Sequence, residues 1–324
     1  MLARTPKPNR TARIVAGTAA VTTLALAGAA WFNHAAARRA ERDYPPAGRL
    51  LQVDGVTVHI VDTGAVEGGE TIVLLPGNGS LVEDFMCSGL VDALRVRHRL
   101  ILIDRPGYGH TDRPDDRDWT AEAQAALCVA ACAQIGVTRP VVVGHSWGAI
   151  AAVAWALDHP DAVLRLVLLS GYYFPTLRVD AAMIGLAETA LLRPIFENAI
   201  GPMQTRITGP AGLKMVFSPA DVPDDFYDTM PIGLMLRPSQ IAASARDGAQ
   251  MPGNVERLAE RYGELTVPIA IAWGDGDKLV CPEGQSIRMA EETGATTLCV
   301  AGAGHMVHWF APTAIAGFIE TGGK

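Results

Sequence analysis

The stretch with the clearest chemical content is Gly144-His145-Ser146-Trp147-Gly148. It has the form G-x-S-x-G and falls between an apolar run, Pro140–Val143, and an Ala-rich stretch reaching about Asp158. A serine in that context sits on a sharp strand-to-helix turn, with glycines letting the two elements approach closely. The helix N-terminus behind it favours negative charge. A neutral serine hydroxyl is a weak nucleophile and needs a base. Histidine titrates near neutral pH and suits that task. Of the eight histidines, His305 follows an apolar run in the Gly-rich loop Gly302-Ala303-Gly304, and His308 competes three residues on. His145 adjoins the serine and is expected to point away from it; His34, His59, His98, His110 and His159 read as packing or solvent-exposed residues. A carboxylate to orient the base is offered twice in Gly274-Asp275-Gly276-Asp277, after the run Val267–Trp273.

The elements that must hold these groups are legible as short apolar runs alternating with helical segments. Leu50–Val53 and Val56–Asp62 flank Asp54-Gly55, a hairpin signal. Ile72–Leu75 runs into Pro76-Gly77-Asn78-Gly79, and Leu100–Ile103 into Asp104-Arg105-Pro106-Gly107-Tyr108-Gly109. A helix is predicted over Thr120–Gln134 with Thr120 as N-cap. Pro140–Val143, Val163–Leu169, Val267–Trp273 and Thr297–Val300 complete the strands. This alternation predicts a mostly parallel sheet covered by helices on both faces. Gly171 to about Arg237 breaks the rhythm with seven prolines and a helical pattern. An insertion there reads as a lid over the carboxyl ends of the strands, where such sheets bind ligands. Its Met183, Ile184, Leu186, Leu191, Leu192, Ile195 and Phe196 suit an apolar acyl pocket, a mouth facing lipid, or simple packing of an amphipathic helix on the body.

With these residues in order, the chain from about Leu50 to Ile319 resembles the α/β-hydrolase superfamily. Val58–Gly64 looks like the family's opening strand, and Leu74-Leu75-Pro76-Gly77-Asn78-Gly79 like its oxyanion loop. Asp104–Asp112 is similar to its D-x-P-G-x-G-x-S-D segment, and Gly302–Met306 to its terminal histidine loop. The resemblance implies an α/β-hydrolase fold with the order Ser, Asp, His along the chain. It implies Ser146 as nucleophile, His305 as base and Asp277 as the orienting acid, with Asp275 the alternative acid. The family's acid lies three residues after a glycine and shortly before a proline; Asp277 fits the first spacing, and Pro282 falls one residue later than expected. The oxyanion hole would use the backbone N–H groups of Asn78 and Trp147. The family often has His-Gly where this chain has Pro76-Gly77.

The chemistry implied is acyl transfer to water through an acyl-enzyme on Ser146, with a carboxylic ester as the expected substrate and amides, thioesters or C–C bonds as alternatives. Asn78 and Trp147 also look like the halide-holding pair of haloalkane dehalogenases. Those enzymes and the similar epoxide hydrolases use an aspartate where this chain has Ser146. From another class, a non-catalytic ligand-binding member of the fold remains, although such proteins usually lose a triad residue. No metal or organic cofactor is implied.

The N-terminus adds a further expectation. Ile14–Phe32 is nineteen residues without a charge, flanked by Arg4, Lys7, Arg10 and Arg13 on one side and Arg38, Arg39 and Arg42 on the other. At 1.5 Å per residue, a helix of about that length just spans a bilayer core of about 30 Å. Residues 1–43 are read as an anchor or signal segment, with Ala35–Gly48 as a linker, and 44–324 as the catalytic domain. An uncleaved anchor explains the long apolar run and its Trp31-Phe32 edge. A secreted form cleaved after Ala27-Gly28-Ala29 or Ala35-Ala36-Ala37 is the alternative. Either places the catalytic body outside the cytoplasm. The net charge is −7 even with the basic N-terminus, so the body is acidic and nucleic-acid binding is excluded as an expectation. The substrate is expected to be a small-molecule, apolar ester, and an anchor that brings the lid near lipid favours a lipid-like one. Five cysteines match no zinc spacing, and Cys128 and Cys132 share one helix face.

Overall fold

In the computed structural model, residues 10–176 and 192–323 are described. Eight strands form one sheet in the order β1-β2-β4-β3-β5-β6-β7-β8. β1 (Arg49–Val53) and β2 (Val56–Asp62) make an antiparallel hairpin around Asp54 and Gly55, both with positive φ as a tight primed turn requires. β2 pairs antiparallel with β4 (Arg99–Ile103). β3 (Thr71–Leu75), β5 (Val141–His145), β6 (Arg165–Leu169), β7 (Ile269–Gly274) and β8 (Thr296–Val300) continue the sheet in parallel. The interior strands are apolar along most of their length because both sheet faces are covered.

One face packs on the helices Ala121–Gln134 and Trp147–Asp158, the other on short helices after β3 and on the C-terminal helix Pro312–Thr321. Thr120 caps the first of these by accepting from the Ala123 amide. Cys128 and Cys132 lie in this core as buried thiols, and burial pushes the Cys128 thiol up to about 12.

Between β6 and β7 lies a helical insertion over the carboxyl ends of the strands. Its described part includes helices Gly201–Phe217 and Pro238–Ala259. The predicted lid ended near Arg237, but the following helix also faces the cavity below through Gln240, Ile241, Ser244 and Met251. Of the apolar residues singled out in the lid, Met183, Ile184, Leu186 and Leu191 lie outside the described residues.

The N-terminal segment departs from expectation. A single helix runs from Arg10 to Asp43 without interruption, so Ala35–Asp43 is not a linker. The physical reason is a small-residue stripe. Asn33, Ala37 and Ala40 are buried at helical spacing against the insertion. Ala40 packs with Leu81 and Leu234. Asn33 donates to the Asn198 and Ala199 carbonyls and accepts from Arg206, and Glu41 pairs with Arg237. From Arg13 onward the helix contains an 18-residue window of mean hydropathy 1.6, none of it buried. Length and composition suffice to cross a membrane, and a signal sequence meets the same description.

Candidate active site

Ser146 lies between β5 and the next helix with φ +52° and ψ −119°, a conformation costly for a residue with a side chain. The amide of Ser146 donates to the Leu169 carbonyl at 2.9 Å, tying the turn to β6. The crossing of strand and helix is tight enough that a Cβ on Gly148 would press into the Leu75 and Pro76 carbonyls. The two glycines of the motif are there for that approach.

His305 lies in the loop after β8, and its amide donates to the Val216 carbonyl of the insertion at 2.9 Å. Its Nδ1 is 2.8 Å from Asp277 Oδ2, with both side chains buried. The other oxygen, Asp277 Oδ1, accepts from the Leu279 and Val280 amides at 2.9 Å each. The carboxylate is thus fixed on both oxygens. Asp275 is exposed and accepts from the Gly302 amide at 2.7 Å, bracing the loop before His305 rather than the imidazole.

His308, the competing histidine, is buried and faces Asp84, with Nε2 3.2 Å from Oδ2. Trp309 Nε1 donates to the other Asp84 oxygen at 2.6 Å. Burial alone would raise the Asp84 pKa, but His308 beside it overcomes that and holds the carboxyl at about 2. His145 does not simply point away. Its ring packs 5.0 Å from the His305 ring and 4.5 Å from that of His308, with Nε2 3.1 Å from the His305 carbonyl. Burial, then the two neighbouring histidines, push the His145 pKa well down. Uncharged, it supports the His305 loop from beneath.

Asn78 and Trp147 both line the cavity that holds Ser146 and His305. Neither is loosely held. Asn78 Oδ1 accepts from the Tyr108 hydroxyl at 2.6 Å and Nδ2 donates to the Ser244 carbonyl at 3.2 Å. Trp147 Nε1 donates to the Asp247 carbonyl at 3.1 Å.

Behind them runs a buried network that the sequence did not disclose. Arg105 donates to the Pro76 and Gly77 carbonyls at 2.8 Å each, and to Asp247 Oδ2 at 2.6 Å. Its guanidinium lies 4.3 Å from the ring centroids of both Tyr108 and Trp147. Asp247 also accepts from Tyr108 and Arg113. Burial and the Asp247 charge push the Tyr108 pKa upward, so its hydroxyl stays a donor. Three features supply this scaffold: the loop after β3, the loop after β4 and the helix Pro238–Ala259.

The cavity measures about 750 Å³. Apolar side chains such as Leu213, Val216, Met230, Ile232, Met235 and Ile241 form much of its wall. Among the described residues, Arg206 is the one Lys or Arg in the lining, and it is engaged with Asn33 and the Pro202 carbonyl.

Comparison with known proteins agrees with this architecture. Residues 70–192 match the family model described as alpha/beta hydrolase fold. The chain is 24% identical over 272 residues to a 2-hydroxy-6-oxononadienedioate/2-hydroxy-6-oxononatrienedioate hydrolase of Klebsiella pneumoniae, covering 81% of this chain and 90% of that one. An alpha/beta hydrolase fold protein from Burkholderia ambifaria superposes with a TM-score of 0.71 at 23% identity, covering 85% of this chain and 97% of its own. A bacterial membrane phospholipase A superposes with a TM-score of 0.65 at 21% identity, covering 96% of this chain and 97% of its own. With its sheet order, its serine turn and these likenesses in agreement, the chain has the α/β-hydrolase fold.

Proposed function

We propose that this protein is a serine hydrolase acting by acyl transfer, anchored by its N-terminal helix, with an apolar carboxylic ester as substrate. The observation that carries the reading is the buried His305–Asp277 pair at 2.8 Å, opening onto one cavity with a serine held at positive φ. In this reading the Ser146 hydroxyl attacks the carbonyl carbon while His305 takes its proton. Asp277 keeps the imidazole in the tautomer with hydrogen on Nδ1 and stabilises the imidazolium. The backbone N–H groups of Asn78 and Trp147 receive the charge that develops on the carbonyl oxygen. His305 then protonates the leaving group, and the same imidazole activates the water that releases the acyl chain.

Support for an apolar substrate comes from the cavity wall. A dicarboxylate would favour fixed cations, and Arg206 is already engaged. The second reading is hydrolysis of a C–C bond beside a ketone, favoured by the curated relatives, which are named as hydrolases of 2-hydroxy-6-oxononadienedioate, a ketone. It uses the same serine, base and acid. An extracytoplasmic, membrane-held body is supported by the exposed apolar helix and by likeness to the membrane phospholipase over 96% of this chain.

The test is labelling of the full chain in detergent with a fluorophosphonate, mapped by mass spectrometry. Nitrophenyl esters of increasing chain length and a 2-hydroxy-6-oxo-dienoate are assayed beside it. Labelling at Ser146 with faster turnover of medium or long esters supports the ester reading. Turnover of the dienoate alone moves the reaction to C–C cleavage. A folded chain that neither labels nor turns over either class defeats the enzyme reading.

A further inference from the structure

The N-terminal helix and the insertion share more than a contact. The helix is docked on the insertion between Asn33 and Asp43, through polar bonds as well as through Ala37 and Ala40. The point of departure is marked by Phe32, whose ring lies 5.3 Å from the Arg206 guanidinium. Arg206 belongs to the helix Gly201–Phe217, so that helix stands level with the point where the exposed apolar stretch begins. If residues 13–32 cross a bilayer, the straight helix puts the water–lipid boundary near Trp31 and Phe32, the residue types that favour that boundary.

The insertion is apolar at that level. Ile207, next to Arg206, is 78% exposed, an unusual state for an isoleucine. Met203, one turn away on the same helix, and Ile200, just before it, are exposed as well. Val21, Leu24, Trp31 and Phe32 of the N-terminal helix are exposed too. Water-facing clusters of this kind mark an interaction surface. The neighbouring helix names the partner, because a span-capable segment leaves the fold beside it. On its other side, the helix Gly201–Phe217 walls the cavity through Thr205, Gly209, Leu213 and Val216.

We infer that Ile200, Met203 and Ile207 form a lipid-contacting rim that sits in the bilayer surface beside the N-terminal helix. The inference rests on the anchor reading and extends it. The insertion, not only the helix, touches lipid. One helix then separates the hydrocarbon boundary from the cavity, so substrate is drawn from the membrane.

The experiment uses the full chain reconstituted in phosphatidylcholine–phosphatidylglycerol vesicles, with Cys87, Cys281 and Cys299 changed to serine. An environment-sensitive nitrobenzoxadiazole dye is attached at Ile207→Cys or, as control, at Glu260→Cys. The expected result is a blue-shifted emission at position 207, quenched by doxyl-labelled lipid, with neither effect at 260. In parallel, Ile207→Asp is expected to slow hydrolysis of an ester resident in the vesicles severalfold, with a soluble nitrophenyl ester turned over at the unaltered rate. Equal, water-like emission at both positions in a chain that resists carbonate extraction overturns the inference and leaves the anchor standing. Extraction by carbonate overturns both. A blue shift that persists in detergent and vanishes on dilution means that a second copy covers the face, and overturns it too. The soluble-ester rate reports separately on Ser146.

Discussion

The Tyr108 hydroxyl stands 2.6 Å from Asn78 Oδ1 and 2.9 Å from Asp247 Oδ2, so one phenol joins the loop after β3 to the insertion. The loop it holds carries a proposed oxyanion donor. Tyr108→Phe removes the one hydroxyl proton that these two acceptors share and leaves the ring in place over Arg105. The expected outcome is a loss of about 1.5–3 kcal/mol in transition-state stabilisation, a fall of roughly 10–100-fold in kcat with KM little changed. Steady-state kinetics on a soluble ester checks it, and a changed KM at constant kcat would assign Tyr108 to substrate binding instead.

Asp277→Asn preserves the shape of the carboxylate and its acceptance of the Leu279 and Val280 amides, but turns the imidazole toward the wrong tautomer. A drop on the order of 10⁴ in kcat is expected near neutral pH, with the fold intact by circular dichroism. Asp275→Asn should cost little, since Asp275 braces Gly302 and not the imidazole. If the two effects are reversed, the acid has been assigned to the wrong residue.

Gly148→Ala tests the crossing of strand and helix. The added methyl meets the Leu75 carbonyl, a backbone atom that cannot swing aside. Destabilisation of about 1–3 kcal/mol or more is expected, with loss of fluorophosphonate labelling as the serine turn is displaced. A variant with wild-type melting temperature and labelling rate would show that the turn has slack.

Glu83 offers a pH test away from the chemistry. Burial, with the Asp104 carboxylate next in weight, raises its pKa to about 7. An unfolded glutamate loses its proton near pH 4.3. Between those values the folded chain keeps a proton that the unfolded chain has released, so this group's contribution to stability falls as pH rises from about 4.5 to 7 and then stays at its lowest. Glu83→Gln should flatten that slope and exceed the wild type at pH 8 by on the order of 2 kcal/mol. Melting temperatures from pH 5 to 8 decide the point; parallel curves for the two proteins would refute it.

The strands were legible because they are buried on both faces and read as unbroken apolar runs, such as Val141–Val143 and Leu166–Leu169. The serine turn was legible because its steric demands are local. Spacing alone left Asp275 and Asp277 both open; the family resemblance implied Asp277, and Asp277 is the carboxylate that lies against His305. Asp247 gave no such signal. It sits inside a long helix, and its partner Arg105 is 142 residues away. The Ala35–Asp43 stretch was misread because its charges suggested a solvated linker, although Ala, Arg and Glu are good helix formers. The uninterrupted run of such residues into Ala35–Asp43 was the available clue, and the structure buries Asn33, Ala37 and Ala40 at four- and three-residue steps. The contacts of His145 with His305 and His308 gave no signal either, because a loop 160 residues away brings those rings against it.

The 34-residue helix has neither proline nor break along its length of about 50 Å. A chain tethered through a slack linker tumbles and samples every attitude. This one has no swivel. Whatever grips residues 13–32 also sets the compass bearing of the cavity mouth, and the catalytic body works at a single height and angle.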